Sequence, residues 1–385
     1  MTLHVSAKSS LASQSEIRAM TLACAKAGGV NLAQGVCDLD VPPVVIAGAK
    51  KAMDDGYNIY TRYDGLAPLR QAIAEKQRRF TGLAADPERE IVVSNGATGA
   101  FYSACMALLN PGDEVILFEP YYGYHVNTLL AMDLTPVFVE LTAPDWSFSA
   151  QDLARAASPR TRAILINTPV NPCGKVFNRE ELSWIADFAR ERDLFVFTDE
   201  IYEHFVYDGL THLCPATLPG MKERTIVISG LSKVFSVTGW RLGYAICDAR
   251  WAQPIGFCND LVYVCGPAPL QMGAAAGLAG LPDAYYEGIS RDHQGKRDRF
   301  CAALAKAGLA PHVPRGAYYA LADLSRLPGE TGKDKAMFLL ERTGVACVPG
   351  EAFFRGGTGR NLGRFCFAKK DPVLNEAIAR LARLD

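Results

Sequence analysis

The middle of the chain alternates short runs of β-branched residues with segments of helix length, and this pattern restricts the fold more than any other feature. Such alternation is typical of a mostly parallel sheet, in which each helix carries the chain back to start the next strand. The predicted strands are Ile91–Ser94, Glu114–Phe118, Ala163–Asn167, Leu194–Thr198 and Thr225–Ser229. Thr98–Leu109 and Arg179–Arg192 have the length of crossover helices. We therefore expect an α/β fold with helices on both faces of the sheet.

The stretch from Tyr285 onward has a different pattern. A long charged helix is predicted for Tyr285–Ala307, another around Lys333–Arg342, and two short apolar runs end at Arg364–Phe367. This order indicates a smaller α+β domain beside the main sheet, which the N-terminal segment joins. We predict a large domain of residues 42–284 and a small domain of residues 1–41 and 285–385. A chain of 385 residues is long enough for a core in each.

Composition argues against several classes of protein. The formal net charge of −1 gives no electrostatic reason to expect nucleic acid or an anionic membrane as partner. Met1–Ser10 lacks the apolar core of a signal peptide, and Gly266–Leu281 is too short and too broken to span a bilayer. The eleven cysteines form no Cys-x-x-Cys pair, and the six histidines have no metal-ligand spacing. We therefore expect free thiols, no metal site and a cytoplasmic location.

Each predicted strand is followed by residues that can carry chemistry. In strand order they are Gly96 with Ala97 and Thr98, Tyr121 with Tyr122, Asn171, Asp199 with Tyr202, and Lys233. Ligands of open α/β sheets bind outside the carboxyl ends of the strands. The sequence therefore predicts a single site at one edge of the sheet.

Lys233 and Asp199 are the most informative of these residues. Lys233 lies in a loop of small residues, where its amine can form an imine with an aldehyde and then move protons. Arg241 follows and offers a guanidinium to a phosphate. Asp199 ends an apolar strand, where a carboxylate can keep a pyridine nitrogen protonated. Read singly, Lys233 and Arg241 could also be surface charges, and Asp199 a turn residue.

Three further motifs could either have an ordinary structural role or bind part of a ligand. The loop around Gly96 places backbone N–H groups and the Thr98 hydroxyl at a helix N-terminus, which suits a phosphate, but it matches neither the Walker nor the dinucleotide pattern. The aromatic run that contains Tyr122 could cover a cofactor ring or belong to the core. Arg364 stands between apolar neighbours and needs an anion, either a substrate carboxylate or a structural ion-pair partner.

Together these motifs resemble the class I/II aminotransferases of pyridoxal-phosphate (PLP) fold type I, near the aspartate, kynurenine and glutamine transaminase branch. The similarity runs over nearly the whole chain, through Asn31–Gly35, Tyr60, Leu69–Ile73, Thr198–Tyr202, Ser232–Arg241 and Arg364. The resemblance implies a large domain with a mostly parallel sheet flanked by helices, and a smaller α+β domain. It also implies PLP as cofactor.

The resemblance implies a role for each matching residue around the cofactor ring. Lys233 would be the Schiff-base lysine, Asp199 would bind the ring nitrogen, and Tyr202 with Asn171 would bind the ring oxygen. Tyr122 would stack on the ring, with Tyr124 as second choice.

The same resemblance implies which residues bind the cofactor phosphate and the substrate. The phosphate would be bound by Gly96, Ala97, Thr98, Arg241, and either Ser229 or Ser232. Tyr60 would reach the phosphate of a neighbouring subunit, which implies a homodimer with shared active sites. Arg364 would hold the substrate α-carboxylate together with Asn171 and the backbone of Gly35.

Two positions depart from the family pattern. Cys173 stands where the loop after Asn171 usually carries Thr, which should alter local packing alone. No arginine clearly matches the side-chain clamp of dicarboxylate-specific members, and Arg62 is the nearest candidate. We therefore expect neutral or aromatic amino donors, with 2-oxoglutarate or pyruvate as acceptor.

The predicted function is transfer of an amino group from an L-amino acid to a 2-oxo acid through PLP and pyridoxamine phosphate. A PLP-dependent β-lyase acting on cysteine conjugates or cystathionine would use the same residues and is the alternative. A non-catalytic PLP-binding regulator is the third possibility. Such regulators usually carry an added nucleic-acid-binding domain, for which this chain has neither spare length nor a basic segment.

Overall fold

The protein is described by a computed structural model that covers residues 3–6, 8–9 and 15–384. Part of the segment for which the sequence predicts no signal peptide lies outside the described residues. The strands are β1 (Val30–Asn31), β2 (Ile91–Ser94), β3 (Glu114–Glu119), β4 (Thr135–Glu140), β5 (Thr161–Asn167), β6 (Phe195–Asp199), β7 (Thr225–Gly230), β8 (Gly243–Ile246), β9 (Pro311–His312), β10 (Tyr319–Asp323), β11 (Val345–Ala346), β12 (Val348–Pro349) and β13 (Leu362–Cys366). The α-helices are α1 (Glu16–Lys26), α2 (Pro43–Asp54), α3 (Ala67–Phe80), α4 (Gly96–Leu108), α5 (Gly123–Ala131), α6 (Ala150–Ala156), α7 (Arg179–Glu191), α8 (Ala249–Tyr263), α9 (Ala268–Gly280), α10 (Asp283–Lys306), α11 (Gly332–Thr343) and α12 (Asp371–Leu381).

The larger sheet has seven strands in the order β2-β8-β7-β6-β5-β3-β4. Neighbours from β7 to β4 are parallel, whereas β8 runs antiparallel to both β2 and β7. Because β8 opposes both of its neighbours, β2 points in the same direction as β7. The carboxyl ends of β2, β3, β5, β6 and β7 therefore lie at one edge, which is the arrangement that the sequence predicts.

Side chains from this sheet alternate between two apolar cores. Ile91 and Val93 of β2 pack with Leu69 of α3 on one face, while Val92 packs with Phe101 of α4 on the other. Successive residues of a strand point to opposite faces, so a strand covered on both sides is apolar along most of its length. All four residues of β2 are buried, and so are all six of β3. The predicted α/β fold with helices on both faces is confirmed.

A second, four-stranded sheet has the order β12-β13-β10-β9, with antiparallel neighbours. The two residues of β1 pair in parallel with β11, at Val30↔Val345 and Asn31↔Ala346. The segment of α1 and β1 therefore packs with the C-terminal part of the chain. Helix α1 contacts β1, β11 and β12 and buries Met20 and Cys24.

Two strands of the large sheet, β4 and β8, are missing from the sequence-based expectation. β4 is at the sheet edge, half exposed, and contains Pro136, so it lacks the apolar run of a central strand. β8 has four residues and follows the loop of Lys233 directly.

None of the described helices has the length and hydropathy that a membrane span requires. The described residues also contain no cluster of His, Cys, Asp or Glu suited to a metal ion.

Candidate active site

A cavity of about 820 Å³ opens at the edge where the parallel strands end. The residues with a predicted role that line it are Gly35, Ala97, Thr98, Tyr122, Asn171, Asp199, Tyr202, Ser232, Lys233, Arg241 and Arg364. These residues come from positions 35 to 364 of the chain, with Asp199 in the seven-stranded sheet and Arg364 in the four-stranded sheet. The structure thus brings most of the predicted site residues together in one place.

Lys233 follows β7 and presents its amine to the cavity. Its Nζ donates a hydrogen bond to the carbonyl oxygen of Gly35 at 3.2 Å. Burial, assisted by the positive charges of Arg241 and Arg364, lowers the pKa of Lys233 to about 8, although the thiols of Cys37 and Cys366 act in the opposite direction. The amine is therefore available as a nucleophile and proton acceptor close to neutral pH.

Asp199 ends β6, and its carboxylate is fixed on two sides. Its Oδ2 lies 3.0 Å from Nε2 of His125 in α5, and its Oδ1 accepts the backbone N–H of Ile201 at 3.2 Å. His125 packs edge-on against Phe101 and Tyr122, which hold its ring in place. The carboxylate is thus buried and oriented, as a group that holds a heterocyclic nitrogen must be.

Arg364 of β13 is 1% exposed and forms no ion pair with any described carboxylate. Its Nη1 donates to Oδ1 of Asn171 at 2.9 Å and its Nη2 to the carbonyl oxygen of Ala33 at 2.7 Å, while its buried Nε has no partner among the described residues. The guanidinium also lies 4.2 Å from the ring centroid of Tyr319. A buried arginine without a carboxylate suits an anionic ligand.

The N-terminus of α4 and Arg241 together form a second place for an anion. Gly96 has φ +76°, and the N-cap residue Asn95 makes no hydrogen bond with its side chain. A Cβ at Gly96 would lie 2.5 Å from Nη2 of Arg241, so only glycine lets this guanidinium reach the helix end. The first-turn N–H groups of α4 and the Arg241 charge suit a phosphate.

Gly243 explains how β8 can pass so close to this helix end. A Cβ at Gly243 would lie 2.2 Å from the carbonyl carbon of Gly96 and 2.3 Å from the nitrogen of Ala97. Any larger residue would push β8 away from the loop. The close approach brings Arg241, two residues before β8, to the N-terminus of α4.

Four residues that the sequence analysis named as candidates do not line the cavity. Ser229 points away from the cavity and donates to Oε1 of Glu203 at 2.9 Å, which leaves Ser232 as the candidate phosphate serine. Gly96 shapes the helix end and does not line the cavity, and Tyr60 is 81% exposed outside it. Arg62 donates to both carboxylate oxygens of Asp64, at 2.6 and 2.5 Å, and does not line the cavity.

The structure adds lining residues that sequence reasoning missed, including His125, Tyr319 and Arg18. The hydroxyl of Tyr319 lies 2.8 Å from that of Tyr202. No local pattern distinguishes these residues, because His125 and Arg18 are ordinary polar residues of short helices. Tyr319 stands in an apolar strand, where a core role is the usual one.

Comparisons with known proteins agree with this geometry. Residues 27–381 match the family model described as aminotransferase class I and II. A probable N-succinyldiaminopimelate aminotransferase, DapC, of Mycobacterium tuberculosis is 38% identical over 377 residues, covering 95% of this chain and 94% of the relative. Human kynurenine–oxoglutarate transaminase 3 is 35% identical over 378 residues, covering 90% of this chain and 83% of the relative.

Solved structures are similar as well. N-succinyldiaminopimelate aminotransferase from M. tuberculosis superposes with a TM-score of 0.95 at 37% identity. The match covers 99% of this chain and 100% of the solved chain. Thermus thermophilus aspartate aminotransferase with maleate gives a TM-score of 0.92 at 30% identity, with full coverage of both chains. These relatives favour neither the β-lyase nor the non-catalytic regulator. The chain belongs to the class I and II aminotransferase family and is an aminotransferase.

Proposed function

We propose that this aminotransferase uses PLP to move the amino group of an L-amino acid to a 2-oxo acid, with Lys233 as the residue that holds the cofactor covalently. The observation that carries the proposal is the shared cavity of Lys233, whose pKa is lowered to about 8, and the buried, carboxylate-free Arg364. An amine that can attack an aldehyde and a guanidinium that can bind a carboxylate are the two groups that an amino acid and PLP require.

The residues of the cavity fit PLP at each of its functional groups. The phosphate would be held by Ala97, Thr98, Ser232 and Arg241, with Gly96 giving access to the helix end. Asp199 would bind the ring nitrogen, Tyr202 and Asn171 the ring oxygen, and Tyr122 the ring face. When bound, PLP draws electrons from the amino acid α-carbon into its protonated ring.

The chain's own groups then have separate roles. Arg364 binds the substrate α-carboxylate. Asn171 holds the guanidinium of Arg364 in place, and the backbone of Gly35 assists in binding the carboxylate. His125 holds the Asp199 carboxylate in place. Once the amino group of the donor has displaced it from the cofactor, the Lys233 amine would take the proton from the donor α-carbon and deliver it to the cofactor carbon, since one base can serve both transfers within the same cavity.

We expect Asp199→Ala to slow proton abstraction by about 100-fold or more, because a fixed charge aimed at the reacting system is lost. Substrate binding should change much less, since Arg364 and Asn171 remain. Single-turnover kinetics that follow the cofactor's visible band separate the two effects. Asp199→Asn keeps the size of the side chain, so a rate as low in that variant as in Asp199→Ala assigns the effect to the charge. A variant with normal proton abstraction but weak substrate binding would contradict the assigned role.

The proposal as a whole is tested with purified protein and PLP. The protein should become coloured on addition of PLP, and borohydride should trap an adduct that maps to Lys233. Amino donors should bleach the visible band, and a 2-oxo acid should restore it. A screen of donors would then identify the substrate, with 2-oxoglutarate and pyruvate tried as acceptors. Colourless protein, or an adduct at another lysine, would overturn the proposal.

We further propose a homodimer with shared active sites. Exposed apolar side chains cluster around the loop before α3 and the end of α8, namely Ile59 (81% exposed), Tyr60 (81%), Phe257 (54%), Leu261 (75%) and Val264 (47%). The two segments touch, because the rings of Tyr63 and Phe257 lie 5.2 Å apart and the Thr61 N–H meets the Cys265 sulfur at 3.5 Å. An apolar patch of this kind is typical of an interface.

Leu261→Glu should convert the proposed dimer to monomer, because a charge would be buried in the interface. Sedimentation velocity measures the change, with Val313→Glu as control, since Val313 is exposed but lies outside the patch. Tyr60→Phe, if Tyr60 reaches a partner's phosphate, should weaken PLP binding without dissociating the dimer. A wild-type chain that sediments as a monomer would refute the shared site.

We also propose the boundaries of two domains and a cytoplasmic location for the protein. Residues 42–284 would form the large domain, and residues 1–41 with 285–385 the small one; the pairing of β1 with β11 supports this division. A reducing compartment such as the cytoplasm is supported by the cysteines, since all eleven are free and nine are buried.

A further inference from the structure

Tyr319 of β10 contacts two residues to which the proposed function gives a role. Its side chain is buried and lines the cavity. Its hydroxyl lies 2.8 Å from the hydroxyl of Tyr202, the residue proposed for the ring oxygen. Its ring centroid lies 4.2 Å from the guanidinium of Arg364, the residue proposed for the α-carboxylate. One side chain of the four-stranded sheet thus meets both residues, each with a different part.

The loop that follows β1 leaves room for the Tyr319 hydroxyl. A Cβ at Gly35 would lie 2.0 Å from the Tyr319 hydroxyl oxygen, so any larger residue there would displace it. The carbonyl oxygen of Gly35 also accepts hydrogen bonds from the Tyr318 hydroxyl at 3.1 Å and from Nζ of Lys233 at 3.2 Å. The close approach of this loop therefore fixes the Tyr319 hydroxyl beside Tyr202.

Tyr202 has one hydroxyl proton and two oxygens that could accept it. One is the hydroxyl of Tyr319, and the other is the ring oxygen of bound PLP. If Tyr319 donates its proton to Tyr202, the Tyr202 proton is left for the ring oxygen. If Tyr202 donates to Tyr319, the ring oxygen loses this hydrogen bond. The direction of the bond between the two hydroxyls therefore decides how strongly Tyr202 can donate to the cofactor.

The surroundings favour Tyr319 as the donor. Burial raises the pKa of the Tyr319 hydroxyl to about 12, with Arg364 acting in the opposite direction. Burial and the neighbouring Tyr319 raise the pKa of Tyr202 well above its ordinary value. The stronger acid is the better donor, and each hydrogen bond of a chain polarises the next. A chain that runs from Tyr319 through Tyr202 therefore ends on the ring oxygen.

We propose that Tyr319 is a positioning residue, whose hydroxyl donates to Tyr202 and so directs the Tyr202 proton to the ring oxygen of PLP. The inference rests on the proposed function and adds a residue that acts on the cofactor through another residue. The ring of Tyr319 has a separate role, because it supports the Arg364 guanidinium together with the ring of Phe353, whose centroid is 4.8 Å away. Hydroxyl and ring can therefore be tested apart.

Removal of the hydroxyl should change the pH dependence of the visible band of the PLP-loaded protein. A hydrogen bond to the ring oxygen spreads its negative charge and weakens its attraction for the proton on the adjacent Lys233 nitrogen. Tyr319→Phe should weaken that bond, so the midpoint of the spectral change should move up by about 0.5–1 in pH. A pH titration of the absorption spectrum measures the midpoint. The inhibition constant of butyrate, a monocarboxylate for the Arg364 site, should stay the same, because the ring remains.

Tyr319→Leu removes the ring as well as the hydroxyl. It should move the midpoint in the same direction and also weaken butyrate inhibition about fivefold, because Arg364 loses an aromatic contact. Tyr207→Phe is the matched control, since it removes another buried tyrosine hydroxyl, which donates to the carbonyl of Ala317, at a residue that does not line the cavity. It should leave the midpoint and the inhibition constant unchanged.

The sign of the change decides the outcome. A midpoint that falls in Tyr319→Phe would mean that Tyr202 donates to Tyr319, and this would overturn the inference. An unchanged midpoint, or the same change in Tyr207→Phe, would also overturn it. In these cases the proposed function still stands, because the wild-type protein forms its coloured complex and transfers amino groups. A protein that forms no coloured complex with PLP overturns both.

Discussion

Lys233→Ala should lower kcat by about 10⁴-fold or more and abolish the visible band of the PLP-loaded protein. The amine has two roles, since it links the cofactor and moves the α-proton, and loss of either would be severe. No other described lysine lines the cavity, so none can take its place without rearrangement. Steady-state rates and absorption spectra of wild type and variant measure the change.

Lys222→Ala is the control for Lys233→Ala, because Lys222 lies outside the cavity and pairs with Glu90 at 3.1 Å. It should keep both colour and turnover. A Lys233→Ala enzyme with normal activity would refute the proposed mechanism, and a coloured but inactive one would separate cofactor attachment from proton transfer.

The lowered pKa of Lys233 also predicts a pH dependence. Below about pH 8 most of the amine is protonated and cannot attack an aldehyde. The rate at which apoenzyme takes up PLP should therefore rise about tenfold per pH unit below that point and level off above it. Stopped-flow measurement of the visible band checks this, and a profile that rises only above pH 10 would contradict the effect of burial.

Glu203→Ala should destabilise the protein by about 3–5 kcal/mol, because it leaves the buried charge of Lys76 without a partner. Both side chains are almost fully buried, at 4% and 5% exposure, and Nζ of Lys76 is bonded to Glu203. The Tyr244 hydroxyl accepts from the same Nζ at 3.1 Å. A whole protein is stable by only ~5–15 kcal/mol, so this loss is a large part of the total.

The pKa directions of the pair agree with this expectation. Although burial acts against both charges, Lys76 lowers the pKa of Glu203 to about 2, and Glu203 together with Tyr244 raises the pKa of Lys76. A carboxyl whose pKa is lowered on folding stabilises the protein above its unfolded pKa of about 4.3, and this contribution is lost as the pH falls towards 2. The pH dependence of stability in that range should therefore be weaker in Glu203→Ala.

Urea unfolding followed by circular dichroism measures the loss of stability. Asp55→Ala is the control, because Asp55 forms an exposed pair with Lys51 on α2, and it should leave the midpoint unchanged. The double variant Lys76→Met/Glu203→Met removes both charges and should recover part of the stability. An unfolding midpoint of Glu203→Ala equal to that of wild type would show that Lys76 finds another partner.

The Lys76–Glu203 pair also matters for the site, because Glu203 is the neighbour of Tyr202. Asp199 at the end of β6 and Tyr202 in the turn after it line the cavity, while Glu203 points to the opposite side and is hydrogen-bonded to Lys76 and Ser229. The buried pair thus anchors the turn that carries two site residues. The family resemblance offers either Ser229 or Ser232 as the phosphate serine, and in the structure the Ser229 hydroxyl belongs to this anchor.

Strand prediction succeeded where the pattern is continuous. Ile91–Ser94 is predicted without error, and Thr225–Ser229 differs from β7 by one residue. Both are buried on two faces, and an apolar run bounded by polar loops is visible in the sequence. The sequence did not predict β8, because four residues after a long loop do not form a recognisable strand pattern. Its reversed direction depends on its pairing with β2 and β7.

The sequence by itself determined the βαβ order and the polar residues that end the strands, because strand direction puts the ends of parallel strands at one edge. Lys233, Asp199, Tyr202 and Asn171 could be named for that reason. Only the tertiary structure decided that His125 holds Asp199, that Tyr319 meets Tyr202, and that α1 lines the cavity. Those contacts join segments separated by 74 residues or more, where local pattern carries no information and packing alone sets which side chains meet.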